Sequence, residues 1–245
     1  MLTLAQVAIL LYNIRMYRKT PLAEREYYHI YSRGVEKRKV FMNSKDYQRF
    51  MALLYIMNQN EPFKMENFLR DKQNNLKNIF NQKREKTLVS ILAYCLMPNH
   101  FHLILYEHTE GGISKFMGKL LTAYSMYFNT KYERSGPLFM HPFRSEHINN
   151  ESQYMYIFSY LHLNPTSIFD KKWKENGIKD IEAAEEFLNN YQYSSFIDFS
   201  GSKRLESAIL DLSLVPKYIQ RMKIDFQTCE KMCLSEDSPR STRRY

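Results

Sequence analysis

The sequence predicts an α+β fold: a ferredoxin-like split βαβ antiparallel sheet with helices on one face, a helical insertion and a C-terminal helical extension. Three observations predict it. Segments of period two and period 3.6 succeed each other in the order strand, helix, strand, strand, helix, strand. Turn residues separate them, among them Arg33-Gly34, Pro98-Asn99 and Gly111-Gly112. The stretch 61–86, rich in Lys, Asn, Gln and Glu, reads as an inserted and partly solvated helical excursion rather than a second domain.

Taken in order, 26–32 is aromatic and β-branched and reads as the first strand. Asn43-Ser44 with Asp46 marks a helix start, and Tyr47, Phe50, Met51, Leu54 and Tyr55 then recur at helical spacing. Residues 87–97 and 100–107 read as two strands joined at Pro98-Asn99. Residues 114–132 form a helix whose buried side is Phe116, Met117, Leu120, Leu121, Tyr124, Tyr127 and Phe128. Residues 138–148 alternate as a hairpin or a pair of short strands. Asn150 caps a helix over 151–163, which Asn164-Pro165 ends because proline cannot continue it. Residues 181–191 are a further amphipathic helix. The domain plan is an extension over 1–17, a domain over 18–200 and a C-terminal extension over 201–245, polar and frayed at its end.

The 245 residues carry a formal net charge of +9, with 15% aromatic residues and 19 tyrosines. A basic surface interleaved with aromatics suits a protein that neutralises phosphates and stacks bases. The competing structural reading is a generally basic protein whose Lys, Asn, Ile and Tyr follow from an AT-rich genome. Three cysteines, Cys95, Cys229 and Cys233, make no disulfide framework and point to a reducing cytoplasm. The apolar run 1–11 is too short to span a bilayer.

The chemistry concentrates in Pro98-Asn99-His100-Phe101-His102. A strand repeats its side-chain direction every second residue, so His100 and His102 share one face while Phe101, Leu103 and Leu105 share the other. Two imidazoles on a rigid strand supply two ligands of a metal site. Read structurally, the same pair is simply hydrogen-bonded to carbonyls. In the helix before Pro165, Tyr160 and Asn164 are four apart and lie on one face, about 6 Å between Cβ atoms. Asn164 is the candidate third ligand. Spacing alone does not separate Tyr160 from Tyr156, Tyr124 or Tyr127, and a zinc site using Cys95 has the wrong spacing.

Four blocks in this order, Tyr28-His29-Ile30-Tyr31-Ser32-Arg33-Gly34, Pro98-Asn99-His100-Phe101-His102, Arg134-Ser135-Gly136-Pro137-Leu138-Phe139 and Tyr160-Leu161-His162-Leu163-Asn164-Pro165, resemble the HUH single-tyrosine transposases. The resemblance is to their REP-associated branch and covers roughly 18–200. It implies a metal-dependent single-stranded DNA endonuclease and strand transferase acting through a 5′-phosphotyrosine at hairpin-forming repeats or element ends. Tyr160 is then the nucleophile, and His100, His102 and Asn164 are ligands of Mg²⁺ or Mn²⁺. Insertion-sequence members carry Gln where Asn164 stands. They pair as dimers, whereas the repeat-associated branch acts as a monomer, and the short connection at Asn149-Asn150 favours a site within one chain.

Arg33, Lys37, Arg38, Arg134 and Arg144, at loop and strand edges beside the site, are the expected DNA contacts. The expected partner is single-stranded DNA and the expected location the nucleoid-containing cytoplasm, with the protein a monomer or homodimer. Two rival functions are a catalytically silent hairpin-binding protein and a metal-dependent hydrolytic nuclease.

Overall fold

The computed structural model describes residues 21–140 and 142–221. The run 1–11, His141, Cys229, Cys233 and the basic C-terminus lie outside the described residues. Four antiparallel strands, β1 (Tyr27–Arg33), β2 (Val89–Met97), β3 (His100–Glu107) and β4 (Arg144–Ile148), form one sheet in the order β2-β3-β1-β4. This is the order that a split βαβ plan dictates, with β3 inserted between the two strands that the first helix joins.

The helices are α1 (Ser44–Ile56), α2 (Met65–Arg70), α3 (Gly112–Lys131), α4 (Glu151–Leu163), α5 (Trp173–Asn176) and α6 (Ile181–Asn190), followed by shorter turns to residue 221. Asn43 caps α1, and Asp46 in its first turn accepts from the Met42 amide at 2.8 Å and from Lys131 of α3 at 2.6 Å. The first turn of one crossover helix is thereby tied to the last turn of the other. The insertion is only partly helical, holding α2 and a 3₁₀ turn at Leu76–Asn81 whose Ile79 and Phe80 are buried. Residues 138–148 form no hairpin. Phe139 makes an isolated bridge to Gly34, and β4 alone pairs with β1.

Strand alternation sorts the sheet into two cores. Ile30, Tyr94, Phe101, Leu103 and Leu105 pack with Phe50 and Leu54 of α1 and with Phe116, Leu120 and Tyr124 of α3. Cys95, Met97 and Ile104 face the other way, onto Ile157 and Leu161 of α4 and Trp173 of α5. Helices therefore cover both faces, where the sequence reading placed them on one. The reason is β2, buried at all nine of its positions, which leaves no face for water. Beyond residue 200, Ile209 joins the first core while Val215 and Ile219 join the second.

The Asn150 side chain accepts from the Gln153 amide at 2.8 Å and starts α4, the helix that carries Tyr160. Losing such a cap costs about 1 kcal/mol. Asn150→Ala is expected to lower the urea midpoint accordingly without changing the m-value; an unchanged midpoint would mean that water replaces the cap.

Candidate active site

The site forms where β1 and β3 meet α4. In the register, Arg33 pairs with His100 and Tyr31 with His102. Period two puts His29, Tyr31 and Arg33 on the face that also carries the two histidines. Above that face, α4 presents Tyr160 and Asn164, one turn apart. A cavity of about 290 Å³ is lined by Tyr31, Ser32, Arg33, His100, His102 and Tyr160, and closed by Asn164, Ser167, Lys171 and Lys174.

Inside it the His100 and His102 rings are 5.0 Å apart and perpendicular, and the Tyr160 ring meets His102 edge-on at 5.7 Å. The Asn164 amide lies 3.4 Å from His100 Nε2. Beneath them, His29 Nε2 and His102 Nδ1 share a hydrogen bond of 2.8 Å, while His29 Nδ1 lies 3.7 Å from Glu146 of β4. Tyr31 donates to the same carboxylate at 3.0 Å. His29, which the sequence places on the first strand as a structural or DNA-proximal residue, is fully buried and hydrogen-bonded to His102.

Burial pushes the His100 imidazolium down to about 3, helped by the positive charges of Arg33 and Lys174. Burial, then His100, His29 and Lys174, hold His102 well below the ordinary imidazole value. Both rings are therefore neutral at pH 7 and keep a nitrogen lone pair for a ligand. Two neutral imidazoles and a carboxamide oxygen suit a divalent cation that accepts mixed nitrogen and oxygen donors. Among the described residues no three His, Cys, Asp or Glu side chains form a metal-ligating cluster, and Asn164 is the carboxamide that lies against the His100 ring. Cys95 pairs across from His102, but burial holds its thiol well above the usual range and protonated.

The tyrosines that spacing leaves equivalent are separated here. Tyr124 donates to the Val40 carbonyl in the opposite core, and Tyr127 donates to Asp46. Tyr156 is buried, stacked 6.0 Å from Tyr160 and outside the cavity lining. His162, two residues from Tyr160 and so on another side of the helix, shares a 2.8 Å hydrogen bond with Ser195.

Of the basic residues, Arg33 lines the cavity, and Arg144 is exposed beside it, paired to Tyr31. Lys37 and Arg38 sit in the turn after β1, where the Asn99 side chain donates to the Lys37 carbonyl and Arg38 donates to Val35. Arg134 holds its own loop, donating to Asn129 at 2.6 Å and to Pro137 at 3.2 Å, and does not line the cavity.

The sequence reading missed Lys174. Its Nζ donates to the Tyr160 hydroxyl at 2.8 Å, lies 4.3 Å over the Tyr160 ring and reaches Asn164 Oδ1 at 3.4 Å. No periodicity signals it, because it lies beyond Pro165 on the four-residue α5. His29 and Glu146 were within reach, since both alternate onto the histidine face of adjacent strands.

Residues 23–163, over half of the chain, match the family model described as Transposase IS200 like. A solved structure described as the REP-associated tyrosine transposase bound to a REP hairpin is 12% identical, with a TM-score of 0.43 over 78% of this chain and 88% of that one. No curated protein gives a significant match.

His162 is fully buried, and burial pushes it down to about 3 from an ordinary value of 6.5. A depressed imidazole binds fewer protons folded than unfolded, so it removes stability as pH falls below 6.5, until both states are protonated near 3. His100 and His102 act in the same direction. Thermal melts are expected to show the midpoint falling from about pH 7 to about pH 5, and His162→Gln to flatten that slope by up to about 1.4 kcal/mol per pH unit; an unchanged slope would refute the assignment.

Proposed function

The chain belongs to the IS200-like transposase family, and from that membership we propose that it nicks and rejoins single-stranded DNA with Tyr160 as nucleophile. The observation that carries this reading is the convergence of His100, His102, Tyr160 and Asn164 on one cavity rimmed by Arg33, Lys171 and Lys174. A cavity rimmed by cations and floored by neutral donors attracts a phosphodiester without repelling it.

The Tyr160 oxygen attacks the scissile phosphorus, the bond to the 3′-oxygen breaks, and the 5′ end stays on the enzyme as a phosphotyrosine. The covalent link conserves the bond energy, so a 3′-hydroxyl reverses the step without ATP. A divalent cation, Mg²⁺ or Mn²⁺, held by His100, His102 and Asn164 would polarise the scissile phosphate. Its binding requires the Asn164 amide to turn its oxygen towards His100 Nε2. It also requires His102 to coordinate through Nε2, so that Nδ1–H donates to His29 and the His29 Nδ1–H is directed at Glu146. A carboxylate behind two histidines fixes tautomer and ring orientation in this way. Arg33 and Arg144 would guide the strand at the cavity mouth, Lys37 and Arg38 beyond it, and Arg134 would act by shaping its loop. A hairpin-forming repeat or element end is the proposed target, in keeping with the four motif blocks, and the short connection at Asn149-Asn150 supports a site assembled within a single chain.

With a pool of single-stranded hairpin oligonucleotides and Mn²⁺, a covalent protein–DNA adduct is expected on a denaturing gel, absent with chelator and absent in Tyr160→Phe. Cleavage without adduct would indicate a hydrolytic nuclease, and binding without cleavage a silent hairpin binder. His29→Ala or Glu146→Gln is expected to weaken Mn²⁺ binding, measured by calorimetry on the folded protein, by roughly 10- to 100-fold; wild-type affinity would remove the support role from His29 and Glu146.

A further inference from the structure

One of the rim cations also touches the nucleophile itself. Lys174 belongs to a segment exposed to solvent, yet its ammonium turns inward to the one hydroxyl on which the reaction depends. Its neighbour Trp173 is 1% exposed within the second core and pins α5 against the sheet. Lys174 Nζ lies 2.8 Å from the Tyr160 hydroxyl, 4.3 Å over the Tyr160 ring and 5.7 Å over the Trp173 ring, and its 3.4 Å contact with Asn164 Oδ1 is given up when that amide turns its oxygen to His100. A surface lysine with no role samples many rotamers, so this convergence restrains a long side chain at an entropic cost.

We propose that Lys174 is a catalytic residue, whose ammonium stabilises the charge on the Tyr160 oxygen both as it attacks and as it leaves. The inference rests on the reading of Tyr160 as nucleophile. In the forward step the Oη–P bond forms and the P–O3′ bond breaks; the phenolic proton passes to water, and the departing 3′-oxygen takes one from water. In rejoining, the 3′-hydroxyl attacks and passes its proton to water, the P–O3′ bond forms, the Oη–P bond breaks, and Tyr160 departs as a phenolate that takes a proton from water. Negative charge develops on the same oxygen in both directions. A preorganised donor aimed at that oxygen acts on both transition states. An ammonium has three protons and no lone pair, so Lys174 donates and is not the base. Lysine suits the place better than arginine, because a compact point charge fits between a phenol and an amide where a planar fork does not.

The alternative is a structural role, in which Lys174 merely orients Asn164. The two differ in what raising the metal concentration repairs. The full chain, as wild type and Lys174→Met, would be compared in single-turnover adduct formation on the oligonucleotide that the wild type cleaves, at rising Mn²⁺. Lys174→Met keeps the aliphatic stem at an exposed position, and Lys174→Ala serves as the second variant. We expect a rate roughly 100-fold lower at saturating Mn²⁺ and saturating DNA, with Mn²⁺ affinity within about threefold of wild type. Religation from the isolated adduct should slow equally, and added ethylammonium should restore part of the Lys174→Ala rate where tetramethylammonium, which has no N–H, does not. A variant rate close to wild type, or one that recovers fully at high Mn²⁺, overturns the proposal while leaving Tyr160 as nucleophile. A wild type that forms no adduct overturns the nucleophile assignment and this inference with it.

Discussion

β3 is paired along both edges, to β1 and to β2, and that pairing is the constraint on which the site depends. Its odd-numbered residues Phe101, Leu103 and Leu105 lock into the core under α1 and α3, so His100 and His102 have no choice but the opposite face. A slip of one residue would turn the imidazoles into the core under α1 and α3 and turn Phe101, Leu103 and Leu105 towards the cavity, at the expense of that core. The apolar side of the strand thus specifies the position of the polar side.

Placing two histidines in a buried corner also sets their chemistry. Desolvation works against the imidazolium, and Arg33 and Lys174 add like charge, so the rings stay neutral donors while the surroundings stay cationic. Positive charge that would repel an imidazolium attracts a phosphate. The support from His29 and Glu146 reaches His102 through β1 and β4, which makes the order of strands in the sheet part of the site.

Helix α4 is buried over most of its circumference, which explains why its apolar pattern alone does not reveal a functional face. The helix ends at Leu163 and runs into a 3₁₀ turn over Asn164–Ile168, and Ser167 of that turn and Lys171 after it line the cavity. Trp173 anchors that segment in the second core, and the covering of both sheet faces is therefore connected to the closing of the site.

The sequence by itself determined which residues share a face. Alternation in β1 and β3, and the four-residue spacing in α4, are local geometric consequences of backbone hydrogen bonding, so His100 with His102 and Tyr160 with Asn164 were legible as pairs, as was the order of strands and crossover helices. Only the tertiary structure decided that the two pairs face one another, that Tyr160 rather than Tyr124 or Tyr127 reaches the cavity, and that Arg134 spends its guanidinium on its own loop. It also decided that helices cover both faces and that Lys174 meets Tyr160. Those outcomes rest on contacts between residues far apart in the chain or separated by an irregular turn, where no period carries the phase of one element into the next.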